Sequence, residues 1–259
     1  MSDKVLVTTN DAVTVLTLNR PEVHNAVDGE TAEAIGTAID AFAVDDEARV
    51  LVVTGAGPLS FCSGADLEHG GTLLEHPYTD KAGPMGFAAL DPGKPTIGAI
   101  NGYCFAGGME PAAWCDFRIA AANAEFGVLN RRWGVPLVDG GTQRLPRIVG
   151  QANALYLIET GVRINAQRAL TMGFVQEIVP AGEALRRAIE LATRIAGYPQ
   201  SSIRADRGAS LSTFGSSLAD GLKREAEIGR ATLLDPQMVA GLERFASGDR
   251  PEPPRPPGG

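Results

Sequence analysis

Residues 50–55 read VLVVTG and residues 96–100 read TIGAI. Uninterrupted apolar runs this short suit strands covered on both faces, as in parallel sheets flanked by helices. A strand with one wet face would alternate apolar and polar residues instead. Cover on both sides therefore calls for an α/β architecture, in which helices alternate with buried strands. The intervening segments can supply those helices. Asp28 is placed to cap a helix running to about Val44, with Ile35, Ile39 and Phe42 at helical spacing.

The same alternation continues along the chain. VLVTT and AVTVLTL flank the turn pair Asn10-Asp11 and predict an opening β-hairpin. FRIAA (117–121) and VQEIV (175–179) predict further strands, and residues 140–150, 153–161, 165–173 and 182–197 predict helices. Several of these end in glycine, which suits a helix C-terminus. Residues 68–94 are rich in Gly, Pro and His without a period, and predict a mobile loop with one short helix. From about Tyr198 the strands stop: residues 217–234 are amphipathic, and Asp235-Pro236 opens a last helix to about Ser247. The expected organisation is an α/β core over residues 1–197 and a helical region over 198–250. A Pro-rich tail, 251–259, is expected to be disordered.

Composition narrows the partners. With 31 acidic against 23 basic residues the net charge is −8, which disfavours nucleic acid or an anionic membrane surface as the main partner. No run of 18 apolar residues occurs and the N-terminus lacks an apolar targeting segment. Cys62, Cys104 and Cys115 are an odd set within apolar segments, as expected of reduced thiols, and a cytoplasmic location follows. His24, His69 and His76 have no metal-ligand spacing, so no metal is expected.

Two junctions carry the chemistry. In FCSGADL and CFAGGME, small residues interrupt an apolar run where a strand ends. Small side chains let a ligand approach backbone N–H groups, and N–H groups opening a helix favour negative charge. Two such groups aimed at one point would make an oxyanion hole. Glu110, a carboxylate within an apolar run beside the second junction, is then a candidate proton carrier; the alternative is a solvated helix residue. GYCFAG also resembles a nucleophile elbow with Cys104 as nucleophile. That reading fails because its fifth position is Ala106 and all three histidines precede the cysteine.

SGADL, AINGYCFAGGME, CDFRIAAANAEFGV and GGTQRLPRIVG, with LNRPEVHNA before them and VQEIVP after, together resemble the enoyl-CoA hydratase/isomerase family, the crotonase superfamily. The resemblance spans roughly residues 4–250. It implies a spiral of ββα units with a C-terminal helical trimerisation region, in trimers or hexamers. It implies an acyl-coenzyme A thioester as substrate, with no separate cofactor because coenzyme A is part of that substrate. The backbone N–H groups of Ala65 and Gly107 would form the oxyanion hole. Ala26, Ser63, Gly64, Asp66, Leu67 and Gly108 would line the coenzyme A and substrate path, and Glu110 would be the first of the two glutamates that family hydratases use.

The sequence departs from that pattern at the second glutamate, where it has Asn130. An amide can hold a water but cannot exchange a proton near neutral pH. Asp139, where the family usually has a small residue, is the N-cap of the GGTQRL helix, a pocket carboxylate sharing proton work with Glu110, or both. Arg131 and Arg132 also replace apolar family residues, as a surface pair or as contacts to a carboxylated acyl group. The family's basic residue near the last helix is replaced by Gly248, with Arg250 the nearest substitute. Water addition to a 2-enoyl-CoA is the expected reaction. Isomerisation, carbon–carbon cleavage or decarboxylation, and acyl-CoA binding without catalysis, are the alternatives.

Overall fold

The computed structural model describes residues 3–250 apart from 79, 81, 82 and 234, so the tail expected to be disordered lies outside the described residues. The chain forms two compact units, divided between Ala196 and Gly197.

The first unit is built on a six-stranded sheet ordered β1-β2-β3-β5-β7-β10. β1 (Val5–Asn10) and β2 (Val13–Leu18) form the antiparallel hairpin. β3 (Val50–Gly55), β5 (Thr96–Ile100), β7 (Phe117–Ala121) and β10 (Glu177–Val179) then add in parallel. Both faces are covered, as the apolar runs require. Val50 and Val52 of β3 pack with Ile97, Ala99 and Ile119 toward Ala184, Ala188, Ala192 and Ala196 of a helix over Ala184–Ala196. Alanine at every fourth position gives that helix a smooth stripe, so it lies close on the sheet. Leu51 and Val53 point the other way, into a cluster with Ile35, Ile39 and Phe42 of α1 (Gly29–Val44). Each such fully buried aliphatic side chain contributes about 1.5–3 kcal/mol. Asp28 caps α1, its carboxylate accepting from the Thr31 N–H.

A second sheet, β4-β6-β8-β9, was not legible in the sequence. Its strands are Ser60–Cys62, Tyr103–Phe105, Glu125–Gly127 and Ile164–Asn165, too short to show a period. β3, β5 and β7 of the large sheet each continue into one of the first three strands here, so the chain winds through repeated ββ corners. At the β5–β6 corner the Asn101 amide donates to the carbonyls of Gly55, Gly57 and Ser60, fixing the two sheets to each other. The corners deliver the ends of β4 and β6 side by side. Within residues 68–94 the structure has a 3-10 turn at Gly70–Leu74.

α2 (Met109–Trp114) follows β6; α3 (Gly141–Val149), α4 (Gln151–Thr160) and α5 (Ala166–Thr171) complete the body, and the alanine-striped helix is α6. The second unit holds α7 (Gln200–Leu211), α8 (Leu218–Thr232) and α9 (Pro236–Ala246). Ser217 and Asp235 cap the last two, accepting from the N–H groups of Asp220 and Gln237. Leu218, Leu222, Leu242 and Phe245 of these helices are exposed.

Candidate active site

Two turns meet where β4 and β6 end. After β4, Gly64 takes φ +92°, a conformation L side chains rarely adopt. A Cβ added there would stand 2.6 Å from the Gly107 nitrogen, so Gly64 is required both by conformation and by space. The Val27 N–H donates to the Gly64 carbonyl and the Asp66 N–H to the Val27 carbonyl, each at 2.8 Å. This parallel bridge straddles Ala65 and leaves the Ala65 N–H facing away from Val27. After β6, Ala106 takes φ +52° and opens a 3-10 turn, Ala106–Gly108, that runs into α2. A left-handed non-glycine residue costs on the order of 1–3 kcal/mol, a strain that clusters at functional sites. Gly107 lies in the first turn, where N–H groups have no acceptor within the helix. A Cβ on Gly107 would lie 3.5 Å from the Ala65 nitrogen. The two amides are therefore close neighbours on adjoining turns, and such a pair can hold one anionic oxygen.

The first turn is held from behind. The Asn25 side chain accepts from the Arg20 N–H and donates to the carbonyls of Ala56 and Ser60. Arg20 donates to the Ala26 carbonyl at 2.8 Å and pairs with Asp66 at 2.9 Å. Ala26 and Asp66, expected along the coenzyme A path, thus brace the Ala65 turn. Gly108 packs on the Cys62 carbonyl, which a Cβ there would reach at 2.0 Å.

A cavity of about 580 Å³ opens in front of the turns. Ser63, Ala65, Leu67 and Gly107 line it, and so do Glu110, Asn130 and Asp139. The rest of the wall is largely apolar, including Leu73, Met85, Leu129 and Trp133. Leu73, Pro84 and Met85 were missed from the sequence because they fall in the stretch without a period. A second cavity, of about 440 Å³ between β1 and α1, is reached by neither glycine turn.

Glu110, in the first turn of α2, is 2% exposed. Its Oε1 accepts from the N–H groups of Asp139 at 2.9 Å and Gly141 at 2.8 Å, so this carboxylate caps α3. Burial pushes its pKa up from the ordinary 4.5 to about 7. The Asp139 charge adds to the rise, while the two N–H bonds and Arg144 oppose it. Among the described residues nothing donates to Oε2.

Asp139 is also 2% exposed, and its side chain does not cap α3. The N-cap is Gly140, whose φ of +94° turns the chain so that the Asp139 backbone N–H faces Glu110 while its carboxylate meets the Met85 N–H at 2.9 Å. Burial raises its pKa to about 6, against the pull of the Met85 bond, His76 and Arg144. Asn130, 5% exposed, donates through Nδ2 to the Val135 carbonyl at 2.6 Å. Because a carbonyl only accepts, the amide orientation is set, and Oδ1 is left buried without a partner. Arg131 donates to the same carbonyl from the surface; Arg132 reaches the cavity wall with its guanidinium 5.9 Å from the Trp133 ring centroid. Arg250 lies over the Phe245 ring.

Cys104 is no nucleophile here. Its Sγ donates to the Gly108 carbonyl, and burial holds the thiol well above its usual range. Among the described residues no three His, Cys, Asp or Glu side chains cluster as a metal site, and no helix is long and apolar enough to cross a membrane.

A repeated ββ corner that sets two neighbouring amides beside an apolar cavity with buried carboxylates defines the class: a crotonase-like fold. The enoyl-CoA hydratase/isomerase family model matches residues 8–252, and the chain belongs to that family. The crotonyl-CoA hydratase of Syntrophomonas wolfei is 36% identical over 210 residues, which cover 80% of this chain and 81% of that one. The carnitinyl-CoA dehydratase of Salmonella typhi is 38% identical over 199 residues, 75% of each chain. The crystal structure of enoyl-CoA hydratase from Mycobacterium tuberculosis superposes with a TM-score of 0.90 at 30% identity, covering 97% of this chain and 98% of that one.

Proposed function

We propose that the chain is an enoyl-CoA hydratase-like enzyme that adds water across the C2–C3 double bond of a 2-enoyl-CoA thioester. The supporting observation is one cavity wall carrying both the neighbouring Ala65 and Gly107 turns and two buried carboxylates poised near neutral pH. Water oxygen bonds to C3 as one carboxylate takes its proton. Electron density moves onto the thioester oxygen, where two fixed N–H donors stabilise it. Protonation of C2 then completes the addition. Glu110 is the main acid/base, Asp139 is the second proton carrier, and Asn130 Oδ1 accepts a hydrogen bond from the water or the new hydroxyl. A carboxylate titrating near the working pH both gives and takes protons efficiently. Coenzyme A arrives with the substrate along Ser63 and Leu67, and no added cofactor, nucleic acid or membrane takes part. The exposed leucines of α8 and α9 suit subunit contacts in a trimer or a pair of trimers, which sedimentation equilibrium tests.

The deciding experiment is crotonyl-CoA turnover with product identification, together with α-proton exchange in D₂O for Glu110→Gln and Asp139→Asn. Hydration slowed by about 10²–10⁴ in both variants supports the reading; wild-type rates in both variants overturn it. Asn130 favours one second reading, isomerisation by proton transfer between C2 and C4, which needs no activated water. Conversion of a 3-enoyl-CoA with no hydration of the 2-enoyl isomer would establish it. Tight binding with no turnover of either would mark a non-catalytic acyl-CoA-binding subunit.

A further inference from the structure

The tetrapeptide Gly83-Pro84-Met85-Gly86 forms a turn closed by the Gly86 N–H on the Gly83 carbonyl at 3.0 Å. It is wedged in place: a Cβ on Gly83 would stand 2.6 Å from Asp139 Oδ1, and one on Gly86 would stand 2.0 Å from the Ala32 carbonyl of α1. Met85 Cε also lies 3.2 Å from where a Cβ on Gly107 would be, so the turn touches the second carboxylate and its methionine lies beside Gly107. Behind it sits His76, 7% exposed. Its Nδ1 accepts from the Tyr78 N–H at 3.2 Å, which places the ring proton on Nε2. Nε2 then donates to the Pro84 carbonyl at 2.7 Å. That carbonyl and the Met85 N–H belong to one peptide group, and the N–H donates to Asp139 at 2.9 Å.

We propose that His76 is a positioning residue for Asp139, acting through the Pro84–Met85 peptide whose two ends they hold. A donor on the carbonyl polarises the peptide and fixes the direction of its N–H, and an aimed N–H favours the ionised carboxylate. The other charged groups facing Asp139 are Glu110 from α2 and Arg144 from α3, and substitution at position 76 leaves both in place. The inference rests on Asp139 as a proton carrier.

The test compares pH profiles of kcat for wild type, Asp139→Asn, His76→Phe and His76→Gln. Glutamine reaches Pro84 with an amide N–H; phenylalanine keeps bulk and loses the donor. The limb of the profile that Asp139→Asn removes should move up by about one pH unit in His76→Phe, with KM for the acyl-CoA changed less than about twofold, and return in His76→Gln. If His76→Phe does not fold, His76→Asn replaces it, since asparagine still accepts from Tyr78 but is too short to reach Pro84. Loss of kcat at every pH with the limb unmoved, or an equal shift in the glutamine variant, overturns the positioning role while Asp139 stands. A wild-type profile in Asp139→Asn sinks the Asp139 reading itself, and this inference with it.

Discussion

Glu110→Gln should make the protein more stable above neutral pH while slowing its chemistry. In the folded chain Glu110 titrates near 7 against an ordinary 4.5. The sign follows from linkage: a carboxyl whose folded pKa is raised favours the fold while protonated, and that advantage is lost as pH rises through the folded value. A difference of 2.5 pH units corresponds to about 3 kcal/mol at full ionisation. Glutamine keeps an Oε1 that can accept from the Asp139 and Gly141 N–H groups, so the cap on α3 survives while the buried charge goes. The gain should be about 1 kcal/mol at pH 5, where the folded state is still protonated, and about 3 kcal/mol at pH 8.5. For a chain of this size the larger value amounts to a Tm rise of roughly 6–12 °C. Urea unfolding at the two pH values, followed by circular dichroism, measures the difference, and hydration should fall by about 10²–10⁴. A variant equally stable to wild type at both pH values, or less stable at pH 8.5, would refute the claim that burial dominates this carboxylate.

Gly107→Ala should fold but lose on the order of 10²–10³ in kcat, because the new methyl would lie 3.5 Å from the Ala65 nitrogen, in the space a thioester oxygen needs; steady-state turnover with a thermal melt separates the two effects. Burial would raise the Asp28 pKa, but bonds from Lys4 and Thr31 and the Arg20 charge outweigh it and hold it at about 2. Asp28→Asn should therefore cost about 2 kcal/mol at neutral pH, and the deficit should vanish as pH falls from 4 to 2, read from urea midpoints. Asn130→Glu should leave crotonyl-CoA hydration unchanged, because Asp139 already supplies the second proton; acceleration in stopped-time product assays would overturn that role.

The large sheet was legible because continuous apolar strands admit little other than cover on both faces. The glycine turns were legible because a chain leaving a strand beside a second backbone needs residues without a Cβ. Ala106 carries no such signal: its left-handed conformation is imposed by the corner around it. The second sheet failed to register because strands of two or three residues show no period. Residues 68–94 read only as a loop with one short helix, and nothing local said that part of it would press on Asp139, more than fifty residues onward.

Asp139 shows why the two expectations for it could not be separated from the sequence alone. An aspartate before Gly-Gly at a helix start satisfies the local rule for a cap. That rule assumes the helix N–H groups have no better acceptor. Here Glu110, on another helix, already accepts from Gly141 and from the Asp139 backbone. With those donors taken, the Asp139 side chain turns to Met85 and comes to rest buried on the cavity wall. One carboxylate acting as a cap thereby leaves the other available to the cavity, and the charge each carries makes the other harder to ionise. The Glu110 titration should therefore respond to the Asp139 charge. Asp139→Asn should lower the Glu110 pKa below about 7, shifting the limb of the kcat profile assigned to Glu110 toward acid; a limb that stays in place would show that the two carboxylates do not share a field.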